Sequence, residues 1–310
     1  MPDRSHMDLS IILISWNVAE LLTNCLRSIA AHPPDGDFEV WVVDNASQDH
    51  SVQIIQEQFP QVNLILNEKN VGFAAANNQA LHASSGRYAL LLNPDTIVAE
   101  GTLQKLVSFL DENPQAGAAG SLYQNPDGSL QPSCYPFPTV ARELWRLLHL
   151  DKLYAFGVYD MQQWSKETPR EVDALQGASL LLRRSALEKT GLLDTEYFMY
   201  SEEIDLCYRL QQEGWSRYWV PQSRIIHYGG QSTRQAALKM FLQLYSSKVQ
   251  FFRKHYGETP ARSYKRVLKF TSGLRLVLTT IGSAISPQNR LYYQQLHRNY
   301  EELIAALPAM

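Results

Sequence analysis

Along the first 120 residues, short β-branched runs end in clusters of polar residues, and stretches of helical spacing follow them. Leu9 to Ile14 is an unbroken apolar run, the pattern of a buried parallel strand, and it ends in Ser15-Trp16-Asn17. Leu21, Leu22, Cys25, Leu26 and Ile29 then recur at helical spacing until His32-Pro33-Pro34-Asp35-Gly36 breaks the chain. Val40 to Val43 predicts a second strand, which ends in Asp44-Asn45-Ala46-Ser47-Gln48-Asp49 and precedes a helix with Val52, Ile55 and Phe59 on one face. Val62 to Leu66 predicts a third strand, running into Asn70-Val71-Gly72-Phe73 and a short helix through Asn77 and Asn78. Tyr88 to Leu92 predicts a fourth. Strands alternating with helices in this way predict an α/β fold with a mostly parallel sheet. In such sheets ligands bind beyond the carboxyl ends of the strands, where this chain delivers Ser15 and Asn17, Asp44 and Asn45, and Asn93 and Asp95.

The pattern is less regular afterwards. Leu103, Leu106, Val107 and Leu110 predict a helix, and Ala116 to Leu122 a strand of small residues. From Asn125 to Arg170 the chain is rich in Pro and aromatics without clear periodicity, and reads as a variable, substrate-facing part. Regular structure returns at Val172 to Leu182, followed by a helix from Arg184 to Thr190 closed by Gly191. Helical spacing runs again from Ala236 through Phe252. A basic amphipathic stretch follows, with Val267, Leu268, Phe270, Leu274, Leu276, Val277 and Leu278 set among Arg and Lys.

Composition narrows the picture without changing it. With 310 residues, 45% hydrophobic and 19% charged, the chain is long enough for one main domain and a helical tail, and wholesale disorder is excluded. Cys25, Cys134 and Cys207 form no C-x-x-C pair, so neither a disulfide framework nor a thiolate metal site is indicated, and a cytoplasmic setting fits. No apolar run reaches the length of about 18 residues needed to span a bilayer, and no leader is expected. Met1 to Met7 reads as a vector remnant. The net charge of −3 speaks against a nucleic-acid partner but is uneven: Lys248 to Arg298 holds ten Lys or Arg and one acid, Glu258, giving +9 there and −12 elsewhere.

Three clusters carry candidate chemistry. Asp44, at a strand end, can accept hydrogen bonds from a pyrimidine N–H or ribose hydroxyls, although Asp44 to Ser47 also reads as a helix cap. Asn93-Pro94-Asp95 can offer an oxygen ligand to Mg2+ or Mn2+, and is equally a plain strand-to-helix turn. Glu202, Glu203 and Asp205 gather three carboxylates at a helix start. The helix dipole favours acids there, and their mutual repulsion raises at least one pKa toward the range of a general base. His227, in His227-Tyr228-Gly229-Gly230, can complete a metal site.

In order along the chain, Ser15-Trp16-Asn17, Val42 to Ser47, Asn70 to Ala74 with Asn77-Asn78, Leu92 to Asp95, Gly177-Ala178, Glu202 to Asp205 and His227 to Gly230 resemble family 2 glycosyltransferases of the GT-A fold, in particular the rhamnosyltransferase-like subgroup. The resemblance covers roughly Leu9 to Tyr256. It implies a catalytic domain over residues 8–256, divided into a nucleotide-binding half (8–122) and an acceptor-binding half (123–256), with a basic helical tail over 257–310.

It further implies that Ser15, Asn17, Asp44, Asn45, Asn70, Gly72, Asn77 and Asn93 hold the nucleotide, and that Asp95 and His227 bind the metal. Glu203 is then the base, with Glu202 in reserve and Asp205 beside them. Two positions depart from the family pattern: Asn93 stands where the first aspartate of D-x-D is usual, and Glu203 where the basic aspartate is usual. The Q-x-x-R-W motif of processive synthases is absent, which implies addition of a single sugar, and the family resemblance implies inversion. The donor implied is dTDP-L-rhamnose or a UDP-sugar, and the acceptor a glycan or lipid-linked saccharide of cell-envelope assembly. The basic stretch is compatible with a peripheral place on the inner membrane surface, with packing on the catalytic domain, or with a homodimer contact. A catalytically degenerate nucleotide-sugar-binding protein and a nucleotidyltransferase are the rival readings. The second lacks the glycine-rich basic loop expected after the first strand.

Overall fold

The computed structural model describes residues 7–230 and 233–310. The expected remnant at Met1 to Met7 lies, but for Met7, outside the described residues.

The chain forms two compact units, one running up to Phe137 and from Asp160 to Gln235, the other made of Pro138–Tyr159 and Ala236–Met310. The first is built on β1 (Leu9–Ser15), α1 (Ala19–Ala31), β2 (Phe38–Asp44), α2 (Ser51–Gln58), β3 (Asn63–Leu66), α3 (Phe73–Ala83), β4 (Tyr88–Leu92), β5 (Thr96–Val98), α4 (Thr102–Glu112) and β6 (Ala116–Gln124). The short strands β7 (Leu130–Gln131) and β8 (Cys134–Tyr135) come next. The sheet order is β3-β2-β1-β4, with β1 parallel to both β2 and β4 and β2 parallel to β3, as the alternating pattern requires. All seven residues of β1 are buried, and Ile11, Leu13, Val42, Leu90 and Leu181 meet α1 and α4 side chains in one core. Each such side chain contributes about 1.5–3 kcal/mol by leaving water.

The second half of the sheet is less regular than its sequence suggests. The expected run from Val172 to Leu182 is two strands, β10 (Ala174–Leu175) and β11 (Ser179–Arg183), and only β11 joins the main sheet, antiparallel between β4 and β6. After α6 (Arg184–Thr190) and α7 (Glu202–Gln212) comes a twelve-residue strand, β12 (Ser216–His227), which also pairs with β9 (Arg170–Glu171). Pro221 lacks the N–H a ladder needs, and the register against β6 shifts between Val220 and Arg224; the bulge hides the strand's alternation. The end of β12 pairs antiparallel with β5, setting His227 opposite Thr96.

The second unit contains α5 (Val140–Leu147), α8 (Ala237–Tyr256), α9 (Glu258–Ile285) and α10 (Arg290–Ala306). α8 belongs to this compact unit because its Tyr245, Val249 and Phe252 share a core with Tyr264, Leu268 and Leu303. At its centre the buried Glu143 carboxylate accepts from Lys248 Nζ at 2.9 and 3.0 Å, Arg146 at 2.9 Å and the Tyr264 hydroxyl at 3.3 Å. Burial alone would raise this carboxyl, but the two cations outweigh it and hold it below its ordinary value. Among the described residues no helix is long and apolar enough to cross a membrane.

Candidate functional site

The loops after β1 and β2 are stitched together. Asn17, held in the left-handed region at φ 53°, donates its N–H to Ser47 Oγ at 3.0 Å and accepts from the Gln48 N–H at 2.6 Å. Asp49 caps the start of α2 through the Ser51 N–H and also accepts from the Ala19 N–H. That leaves Asp44 largely free of structural duty. One of its oxygens accepts from the Ser47 N–H at 2.8 Å; the other, Oδ1, is buried and has no hydrogen-bond partner. Ser15 Oγ, also buried, has none either. Buried polar atoms without partners are costly, and here they line the strand ends where a ligand N–H or hydroxyl would satisfy them.

Asn45 is different: its amide donates to the Gly72 carbonyl at 3.3 Å and accepts from Asn67 at 2.9 Å, so it braces the neighbouring loop. Asn70 accepts from the Gly72 N–H at 2.9 Å, and the Phe73 N–H donates to the Phe198 carbonyl at 2.8 Å. Gly72 has φ +89°, and a Cβ there would stand 2.5 Å from that carbonyl. Only glycine fits both the angle and the approach. Asn77 donates to the Phe73 carbonyl at 2.9 Å and keeps a buried, unpartnered Oδ1, while Asn78 exchanges two bonds with Leu193. At the end of β4, the Asn93 N–H donates to the Ala178 carbonyl at 3.1 Å, which ties the turn to the strand beside it.

Asp95 and His227 are brought together. The β5–β12 pairing and a Tyr228 N–H to Asp95 carbonyl bond of 3.0 Å set His227 Nε2 at 3.4 Å from Asp95 Oδ1, with both side chains buried. The other ring nitrogen, Nδ1, lies 2.6 Å from Gln131 Oε1. An amide oxygen can only accept, so Nδ1 carries a proton and Nε2 is the nitrogen turned to Asp95. That nitrogen has no hydrogen-bond partner, so ring nitrogen and carboxylate together offer two ligand contacts that fit Mg2+ or Mn2+. Among the described residues no group of three or more His, Cys, Asp or Glu is placed to hold a metal by itself, so the remaining ligands would have to come from a substrate or water.

The three acids of α7 separate into distinct environments. Asp205 is fully buried, accepts from Arg209 Nε at 2.7 Å, and Arg209 in turn donates to the carbonyls of Thr190 and Leu192 at 2.6 and 2.7 Å. It anchors the helix. Glu202 is buried too, and burial first, then the charge of Glu203, pushes its carboxyl well above the ordinary range. Glu203 is half-buried, with its Oε2 inside the protein, and Gly177 lies beside it: a Cβ at Gly177 would stand 3.9 Å from Glu203 Cβ and 3.7 Å from the Phe73 ring. Tyr200 and Ser201, just before, are held at φ 68° and 67°, consecutive left-handed residues of the kind that cost of order 1–3 kcal/mol each and cluster at functional sites.

Gln131 and Gln235 were not legible beforehand. Gln131 orients His227 from 96 residues away, and Gln235 donates to the Asn17 carbonyl at 3.1 Å. Arg209 did leave a signal, since Asp205 and Arg209 stand at i and i+4 on one helix.

The glycosyl transferase family 2 model matches residues 10–189. The N-acetylglucosaminyl-diphospho-decaprenol L-rhamnosyltransferase of Mycobacterium tuberculosis is 29% identical over 245 residues, covering 73% of this chain and 77% of the relative. The rhamnosyltransferase WbbL of Escherichia coli K12 is 26% identical over 239 residues, covering 74% and 87%. Among solved structures, a mannosyltransferase from Pyrobaculum calidifontis in complex with GDP-mannose and Mn2+ superposes with a TM-score of 0.59 at 18% identity, over 99% of this chain and 88% of the other.

Proposed function

This chain belongs to glycosyl transferase family 2, has the GT-A fold and is a rhamnosyltransferase-like glycosyltransferase, and we propose that it transfers one sugar, with inversion, from a nucleoside-diphosphate sugar to a saccharide acceptor. The observation that carries the reading is the buried Asp95–His227 pair with its unpartnered Nε2.

Asp44 Oδ1 and Ser15 Oγ accept and donate hydrogen bonds to the base and ribose, with Asn17 and Asn93 beside them, while Asn45, Asn70, Gly72 and Asn77 hold the surrounding loop. Asp95 and His227 would hold a divalent ion, and Mg2+ or Mn2+ bound there would supply positive charge to offset that of the departing diphosphate. Glu203, the less buried member of the acidic pair, takes the proton of the acceptor hydroxyl as its oxygen attacks the anomeric carbon. The bond from that carbon to the diphosphate oxygen breaks on the opposite face, giving an inverted glycoside and a free nucleoside diphosphate. Burial pushes the Glu202 carboxyl well above its ordinary range, which opposes a second charge beside the base. Asp205 positions the helix through Arg209.

The Mycobacterium tuberculosis relative is named for a lipid-diphosphate-linked acceptor and an L-rhamnosyl group. That supports dTDP-L-rhamnose before UDP-sugars as donor, a polyprenyl-linked saccharide as acceptor, and work at the inner surface of the cytoplasmic membrane. The test is release of nucleoside diphosphate from dTDP-L-rhamnose and a panel of UDP-sugars with Mn2+, with and without Glu203→Gln. Metal-dependent release that the variant loses supports the reading. Absence of release and of binding for every donor moves the protein to the degenerate, binding-only class.

A further inference from the structure

Helix α9 is apolar on two opposite sides. Its inner side, with Ala261, Tyr264 and Leu268, is buried among α5, α8 and α10. At Gly282 a Cβ would stand 2.7 Å from the Tyr293 ring, so α10 closes tightly on the same side. A helix so packed ordinarily turns charge to water on the other side. Here the outer side carries Phe270, Leu274, Val277, Ile281 and Ile285, exposed by 57%, 41%, 58%, 51% and 76%. Steps of three and four residues put all five on one stripe roughly 80° wide. Beyond the end of α9, Leu291 opens α10 at 82% exposure.

The stripe itself contains no charge, while Arg262, Arg266 and Lys269, all exposed, run along one flank of its amino-terminal end. Arg262 stands 3.7 Å from Glu258; the only other acids in α9 or α10 are Glu301 and Glu302, near the chain's end. An uncharged stripe bordered by cations on a helix whose other face is anchored has the form of an interfacial element.

We propose that this outer face of α9 docks on an anionic lipid surface, the stripe entering the headgroup–acyl boundary while Arg266 and Lys269 lie among the headgroup phosphates. The proposal rests on the lipid-linked acceptor reading given above for its purpose, and it adds the surface that makes the contact. Charge decides between lipid and a second copy. Arg262, Arg266 and Lys269 border the stripe and Glu258 is the only acid in α9, so a twofold contact through this face would set like charge against like, whereas anionic lipid neutralises it.

The experiment is co-sedimentation of the full chain with phosphatidylglycerol/phosphatidylcholine vesicles and with neutral phosphatidylcholine vesicles. Val277→Ser/Ile281→Ser/Ile285→Ser and Arg266→Gln/Lys269→Gln variants run alongside, each checked for an unchanged melting temperature and for nucleotide binding. The expected result is binding to anionic vesicles that falls at least tenfold in the triple variant. It should fall roughly thirtyfold in the charge variant, by about a factor of five per cation. Equal binding by wild type and both variants, or none by any, overturns the proposal. So does a dimer that the triple variant converts to monomer without any vesicle binding. Vesicle binding that behaves as expected in a protein that binds no nucleotide would uphold the surface and remove the transferase reading, so the two fail separately.

Discussion

His227 Nε2 stands 3.4 Å from Asp95 Oδ1, and Gln131 Oε1, 2.6 Å from the opposite ring nitrogen, fixes which of the two carries the proton. A metal-binding imidazole depends on such a partner for its tautomer and orientation. Gln131→Leu is accordingly expected to weaken Mn2+ binding in the presence of dTDP or UDP by roughly 10–100-fold. His227→Ala should weaken it further. Titration followed by electron paramagnetic resonance of free Mn2+ reads this without reference to turnover, and unchanged affinity in Gln131→Leu would remove the orienting role.

Two neighbouring acids should behave oppositely. Glu203→Gln keeps the shape of the side chain and removes the base, so kcat should fall by roughly 100–10,000-fold with the melting temperature and nucleotide affinity retained. Asp205→Ala leaves Arg209 bound to carbonyls without its carboxylate, and should cost about 3–5 kcal/mol of stability. Equilibrium denaturation beside single-turnover kinetics separates the two. A stable, inactive Asp205→Ala would reverse the assignment.

Glu202 makes stability depend on pH in a set direction. Burial, with the charge of Glu203 behind it, raises its folded pKa above the unfolded value of about 4.3. Between those two values the native state holds more protons than the unfolded chain, so this group's contribution falls as pH rises through that window. Glu202→Gln removes the dependence. The variant should melt higher than wild type by a margin that widens as pH rises above the unfolded value. A margin independent of pH contradicts a neutral Glu202.

At Gly72 the backbone angle and the Phe198 carbonyl both exclude a side chain. Gly72→Ala should cost about 1–3 kcal/mol for the left-handed angle. It should also push the loop off that carbonyl, raising the KM for the donor more than it lowers kcat. Steady-state kinetics with the donor varied checks the split; a lower kcat at unchanged KM would place the loop's effect elsewhere.

The parallel half of the sheet was legible because β1, β2 and β4 are buried on both faces and need continuous apolar runs, which stand out in any window. β12 was only partly legible, since Arg217, Pro221 and Arg224 interrupt it and its pairing shifts register across them. The core of the helical unit was hidden for a related reason. Glu143 and Lys248 look like surface residues in sequence, and their burial rests on their pairing across 105 positions, with Arg146 beside them. Asp95, His227 and Glu203 are singled out by motif order alone. The contact of Gln131 with His227, and the different surroundings of the three acids of α7, were not legible, because each depends on contacts made by the fold.

The central claim is that Asp95 and His227 join a divalent ion to a nucleoside diphosphate in this chain, and thermal stabilisation tests it most directly. A ligand that binds only the native state raises the melting temperature with the logarithm of its concentration over its Kd. The account predicts that dTDP or UDP stabilises the protein strongly with Mn2+ or Mg2+ and weakly without, and that Asp95→Ala abolishes the metal-dependent part while leaving the metal-free part in place. Equal stabilisation with and without metal, or an Asp95→Ala variant that responds like wild type, would contradict it.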